Sequence, residues 1–287
     1  MDYVLLKNEH LTVKINKIGA EVVSIKNANE EEFIHQKGDI IWNGQAPVLF
    51  PVCGRIHGDG LKIDKKIYKM PMHGIAINYD FDILECSEDI AVFSLVSNDE
   101  TKKVYPYDFE FIVTYKLLAN SIDVCYEVIN DSQKEMYFSV GSHEGYIIMD
   151  GLNGASIHFE KDEGKAPYIF ENPKLNLSND FISDGKKSVL KLSDALFNDG
   201  VSVVIPDIKS DYVILKGKDG KDFVKVEFEE FDNLVIWARP YAQFICIEPW
   251  CGMAQKEDIT YDIKDMPSIQ KINANSQFER HHIISIL

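Results

Sequence analysis

Two-residue alternation of apolar and polar side chains recurs along the whole chain and restricts its fold more than any other feature. Phe109, Phe111, Val113, Tyr115 and Leu117 share one parity, while Glu110, Thr114 and Lys116 take the other. After a break at Ala119 and Asn120 the pattern resumes with Ile122, Val124, Tyr126 and Val128. Successive side chains face opposite ways only in a strand, so the two segments predict an antiparallel hairpin with one buried face. A second hairpin is expected where Tyr212 to Lys216 and Phe223 to Phe228 flank Gly217-Lys218-Asp219-Gly220, a turn-forming run. Shorter strands are expected at Leu11–Ile15, Glu21–Ile25, Ala91–Val96, Met136–Val140, Val201–Ile205, Asn233–Trp237, Phe244–Ile247 and Phe278–Ile286. Helical periodicity is almost absent, the best stretch being a turn near Ser193–Phe197. The expected fold is all-β, a large antiparallel β-sandwich. Glu160 to Ser188, polar and carrying Pro167 and Pro173, reads as a long surface loop. With no repeat, low-complexity tract or linker, residues 1–287 read as one domain, a length that sandwiches reach undivided.

The net charge of −16 argues against a nucleic-acid partner and against an anionic membrane surface, both of which select for excess Lys and Arg. A neutral small molecule suits such a chain better. The five cysteines, at 53, 86, 125, 246 and 251, form no CxxC pair and are expected to be reduced thiols of a cytoplasmic protein. The start of the chain lacks the basic and apolar regions of a signal peptide. No segment approaches the roughly 18 apolar residues of a membrane span.

Candidate chemistry gathers at a few strand ends and glycines. Ile247-Glu248-Pro249-Trp250 follows the apolar run Phe244-Ile245-Cys246-Ile247. A carboxylate at the mouth of a buried strand is costly unless something binds or uses it, and desolvation lifts its pKa toward that of a general base. Pro249, with no N–H, is expected to stop the ladder there, and Trp250 offers a flat plate for a sugar ring. A surface turn after a core strand is the plainer reading. Arg55 follows Gly54, His73 precedes Gly74, and His143 ends the run Ser139-Val140-Gly141-Ser142. Each of these could instead be structural: a hydrogen-bonded histidine, or an arginine paired with an acidic neighbour. His10, His35, His57, His158, His281 and His282 receive no role. The chain has no HExxH, His-x-His or paired-cysteine spacing, so no dedicated zinc site is expected. It also lacks a GxSxG elbow and a phosphate-cradling loop.

Taken in order, Leu49-Phe50-Pro51-Val52-Cys53-Gly54-Arg55-Ile56, Met72-His73-Gly74, Tyr105-Pro106-Tyr107-Asp108-Phe109, Gly141-Ser142-His143 and Ile247-Glu248-Pro249-Trp250 resemble the aldose 1-epimerase (galactose mutarotase) family in its LacX-like branch. The resemblance covers nearly the whole chain. It implies a galactose mutarotase-like supersandwich with an open carbohydrate cleft, a monosaccharide substrate and no cofactor. By position Glu248 matches the family's base and His143 its acid, while Arg55 and His73 match groups that orient the ring; Trp250 is a wall of the cleft. The chain departs from the pattern at Glu144, where proline usually follows the acid histidine, and at Gly74-Ile75-Ala76, which lacks a family arginine. Glu144 either raises the pKa of His143 or, as strand alternation favours, points away into solvent. Alternatives are a non-catalytic carbohydrate-binding protein, a glycoside hydrolase pairing Glu248 with Glu144, and a sugar-phosphate enzyme using Arg55 and Arg239.

Overall fold

The computed structural model of the chain describes residues 1–38, 41–58, 60–164, 168–170, 188–255 and 259–287. The first predicted hairpin forms as Phe109–Leu118 paired with Ser121–Asn130, and the second as Tyr212–Lys216 paired with Asp222–Glu227. Both belong to a nine-stranded antiparallel sheet. Its order is 189–191, 156–159, 212–216, 222–227, 276–286, 121–130, 109–118, 90–96 and 82–86. A second sheet runs 140–141, 244–251, 233–237, 202–206 and 168–170, with 144–147 also paired to 244–251. A three-stranded sheet of Tyr3–Lys7, Leu11–Asn16 and Val22–Asn27 joins the same core. The expected β-sandwich is present. The turn expected near Ser193–Phe197 is a 3-10 turn, Asp194–Gly200, capped by Ser193. Of the expected loop from Glu160 to Ser188, residues 165–167 and 171–187 lie outside the described residues, and Tyr168–Phe170 is a strand paired with Ser202–Val204.

One hydrophobic cluster extends from Val4 to Ile286 and takes side chains from the facing surfaces of the large sheets. Val113, Tyr115, Val124, Tyr126 and Ile284 enter it from the nine-stranded sheet, and Ile236, Ile245 and Ile247 from the other. Burying each aliphatic side chain of this size stabilises the fold by roughly 1.5–3 kcal/mol. That gain lets the sheet carry polar residues on its outer face.

The strand Phe244–Cys251 is buried at all eight positions. This corrects the expectation of a strand ending at Ile247. Pro249 stays in the ladder toward its other neighbour, opposite Leu234. It interrupts only the side facing 140–147, where the missing N–H would have been used. Ile245, Ile247 and Cys251 turn into the main core, so alternation sends Phe244, Cys246, Glu248 and Trp250 to the opposite face. Two small apolar clusters cover that face. Trp250 packs with Leu49, Cys53, Val204, Val235, Met253 and Ala254, while Phe244 and Cys246 pack with Ala242, Ile41, Trp42 and Trp237. Glu248 stands between them.

Candidate active site

Opposite Glu248 lies His143. Val140 and Gly141 pair with Cys251 and Trp250, and Glu144 pairs with Ile247, all in one register. The residues between them, Ser142 and His143, therefore fall across from Pro249 and Glu248. Directly opposed side chains on an antiparallel pair share a face and meet. His143 Nε2 is 3.5 Å from Glu248 Oε2, and both residues are buried, at 7% and 1% exposure. Neither oxygen of Glu248 accepts a hydrogen bond among the described residues. Burial, and then the negative charge of Glu144 behind the strand, push the Glu248 carboxyl well above the usual range. Burial, and then His73, hold His143 well below the ordinary histidine value. Each group is thus driven toward its neutral form.

His73 approaches from a separate loop. Its backbone N–H donates to the Gly54 carbonyl at 2.9 Å, and its Nδ1 accepts from the Gly54 N–H at 3.2 Å. Burial lowers its pKa to about 4, so the ring is neutral at pH 7. With Nδ1 accepting, the proton is assigned to Nε2, leaving a donor there. The ring centre is 5.1 Å from that of His143 and 6.1 Å from that of Trp250. A left-handed backbone (φ 63°) aims this histidine, and Gly74 makes the turn possible. A Cβ on Gly74, where φ is 80°, would sit 2.1 Å from the Phe50 carbonyl oxygen. That same oxygen accepts from the N–H groups of Ile75 and Ala76.

Trp250 donates its indole N–H to the Ser142 carbonyl at 3.3 Å, which fixes the loop before His143. Arg55 is exposed, one residue beyond the Gly54 that clasps His73. The structure therefore gathers Glu248, His143, His73 and Trp250 and puts Arg55 beside them in sequence, on the solvent side. Arg239 is also exposed, with its guanidinium carbon 5.7 Å from the ring centre of Trp237.

Three aromatic residues and a thiol complete the surroundings. Trp42 stacks on His143 with ring centres 5.1 Å apart and planes 23° apart, and Trp237 meets it edge-on at 5.8 Å. Phe244 packs against Trp42 and Trp237. His35 braces Trp42 through its carbonyl at 3.2 Å. The parity of the Phe244–Cys251 strand could have revealed Phe244 and Cys246, and Trp237 lies across from Cys246. Nothing in its flanking sequence marks Trp42, which reaches the site from a long irregular segment.

Glu144 corrects one expectation. It does turn away from His143, yet not into solvent. It is buried on the inner face, where its Oε1 lies 3.1 Å from Nε2 of His282 on the nine-stranded sheet. Glu144 and Glu248 therefore lie on opposite faces of one sheet and cannot flank a glycosidic bond, which removes the two-carboxylate hydrolase reading. Among the described residues, sulfur, nitrogen and oxygen donors approach within 4.8 Å of one another in two places: His143, Cys246 and Glu248 here, and Cys125, Glu279 and His281 on the outer face of the nine-stranded sheet. Among the described residues no helix is long and apolar enough to cross a membrane.

A family model described as aldose 1-epimerase matches residues 2–255. The LacX protein encoded on a plasmid of Lactococcus lactis is 30% identical over 302 residues, covering 98% of both chains. A solved structure of a galactose mutarotase related enzyme from Lactobacillus acidophilus has a TM-score of 0.88 at 28% identity, covering 99% of this chain and 97% of that one. A galactose mutarotase-like protein from Lactobacillus casei has a TM-score of 0.89 at 24% identity, covering 99% and 100%; at that identity the likeness concerns the fold.

Proposed function

Because the chain belongs to the aldose 1-epimerase family, we propose that it interconverts the α and β anomers of a hexose, with Glu248 and His143 as the acid–base pair. The observation that carries this reading is their opposition at 3.5 Å in a buried, aromatic-walled site. In this scheme the Glu248 carboxylate takes the proton of the anomeric hydroxyl. The electrons left on that oxygen form the carbonyl, the bond from the anomeric carbon to the ring oxygen breaks, and the ring oxygen takes a proton from His143. Rotation about the bond beside the aldehyde turns its other face to the hydroxyl. Closure then reverses the transfers, and both residues recover their starting states.

Every step is a proton transfer, a rotation, or the breaking and re-forming of one C–O bond with no change of overall oxidation state, so the scheme calls for no cofactor. The pair works with one proton between them. Without sugar, burial favours that proton on Glu248, since neutral partners avoid the cost of burying charge. Sugar hydroxyls filling the site solvate the carboxylate and let the proton move to His143, the arrangement that opens the ring. Neutral His73 donates from Nε2 to the sugar, Trp250 and Trp42 supply the walls, and Arg55 orients hydroxyls at the rim. Each positioned proton transfer contributes about 10²–10⁴-fold.

Polarimetry on freshly dissolved anomers of a panel of free and 6-phosphorylated aldoses tests this reading. Accelerated approach to the equilibrium rotation for at least one sugar is expected. Saturable sugar binding with no acceleration would favour a carbohydrate-binding protein on the same fold instead.

A further inference from the structure

On the outer face of the nine-stranded sheet, away from the sugar site, the geometry points to a binding site for a single borderline divalent cation of the zinc class. Its ligands are Cys125, His281 and Glu279, and Asp123 orients the imidazole. The face is distinct because Glu144 and His282 join the inner surfaces of the two sheets, while Glu248 lies on the outer face of one and His281 on the outer face of the other. Cys125 and His281 are directly opposed on adjacent strands, and Glu279, two residues before His281, shares its face.

The donor set and its spacing both fit. One sulfur, one nitrogen and one oxygen lie within 4.8 Å of one another. Around a tetrahedral zinc, ligand atoms at about 2.0–2.3 Å from the metal stand roughly 3.3–3.6 Å apart. His281 Nε2 and Glu279 Oε1 are already 3.3 Å apart. Closing in the Cys125 sulfur takes side-chain adjustment on two strands held by an unbroken ladder. Thiolate with imidazole selects zinc-like ions over calcium or magnesium, which take oxygen.

Two further observations point to a cation. The Nδ1 of His281 lies 2.9 Å from Asp123 Oδ1 and its Nε2 lies 3.3 Å from Glu279 Oε1; an ion that replaces the proton between Nε2 and Glu279 would leave Asp123 holding Nδ1–H, the usual support for a ligating histidine. Glu279 also stands directly opposite Glu127 across the same strand pair. Like charges so placed are destabilising, and a divalent ion between the strands would offset that repulsion. His281, Glu279 and Asp123 all keep solvent-exposed side-chain surface, at 47%, 52% and 24%, so an ion can enter and a water can take the fourth position. The bound ion would clamp Ser121–Asn130 to Ser276–Ile286.

Titration of the purified, metal-free full-length chain with Co²⁺ tests the site, because thiolate coordination gives a near-ultraviolet charge-transfer band and tetrahedral geometry intensifies the visible bands. One equivalent should saturate both, and Zn²⁺ should abolish them. Cys125→Ser should lose the charge-transfer band. Asp123→Asn, which keeps every cysteine and every ligand, should bind Co²⁺ about 10–100-fold more weakly. Glu279→Gln, which also keeps every cysteine, should weaken binding as well. Cys246→Ser should leave the spectrum as it is. Absence of saturable binding, a band that persists in Cys125→Ser, or one that disappears in Cys246→Ser would each overturn the proposal. Since the readout is spectroscopic, it stands or falls independently of sugar chemistry.

Discussion

His143 Nε2 lies 3.5 Å from Glu248 Oε2 because the two residues occupy one cross-strand position, at the point where Pro249 leaves the ladder without a donor. Pro249 still accepts from the Ser142 N–H at 3.2 Å, and the Ser142 carbonyl it cannot serve takes the indole N–H of Trp250 at 3.3 Å instead. Burial moves the two groups in opposite directions, the carboxyl up and the imidazole down. They titrate as a pair.

The rate of mutarotation should therefore be bell-shaped in pH. The active form holds one proton. A second proton must go onto the pair against the lowered affinity of His143, so the acid limb should lie below the ordinary histidine value of 6.5. Loss of the last proton works against the raised affinity of Glu248, so the alkaline limb should lie above the ordinary carboxylate value of 4.5. A profile of kcat/KM against pH reads both limbs, which belong to the free protein. An acid limb at or above 6.5 would contradict this account.

Stability should change with pH in a way that Glu248→Gln removes. Glu248 binds its proton more tightly folded than unfolded. Its favourable contribution is present below the unfolded pKa and lost as pH rises through the folded one. Near pH 4 the variant and the parent should differ little. Near pH 8 the variant should be the more stable, by about 1–3 kcal/mol, since a buried amide costs less than a buried ionised carboxylate. Urea denaturation at the two pH values measures the difference; a gap that narrows as pH rises would be the wrong sign.

Glu144 and His282 form a buried pair at 3.1 Å that ties the two sheets together behind Glu248. Removing either partner leaves a buried group without its counterpart, and Glu144→Ala or His282→Ala should cost about 3–5 kcal/mol. Replacing both with apolar residues of similar size should cost much less, a non-additivity that a double-mutant cycle reads directly. Additive losses would show that the pair is not coupled.

Gly74 should tolerate no side chain. Gly74→Ala needs φ near 80° and brings a Cβ within 2.1 Å of the Phe50 oxygen, so the loop must shift and carry His73 with it. Gly151, where φ is 76° and a Cβ would meet nothing within 4 Å, isolates the backbone cost alone. Gly151→Ala should cost about 1 kcal/mol and leave kcat/KM intact, whereas Gly74→Ala should lower kcat/KM at least tenfold. Equal effects would mean that the loop does not position His73.

The sandwich was legible because alternation marks strands that are buried on one side, and both main hairpins fall where it marks them. It fails on Phe244–Cys251, which is buried on both faces and so shows no polar parity to extend past Ile247. Glu248, His143, His73, Arg55 and Trp250 could be named as candidates, because glycine, proline and strand ends punctuate the sequence around them. The opposition of Glu248 to His143 could not, since it depends on the register of two distant strands. Glu144 was misdirected for a related reason: alternation turns it from His143, but only the second sheet decides that the far side is core and not water. Asp123 and His281, 158 positions apart, leave no local spacing by which a metal site could be read.

In the proposed mechanism Glu248 and His143 act as one unit on the anomeric carbon. The mutarotation rates of Glu248→Gln, His143→Asn and the double variant, measured beside sugar affinity, show whether they do. Each single variant should lose about 10²–10⁴-fold in rate with affinity changed little, and the double variant should lose no more than the worse single one. Near-normal mutarotation in Glu248→Gln, or losses that multiply in the double variant, would contradict it.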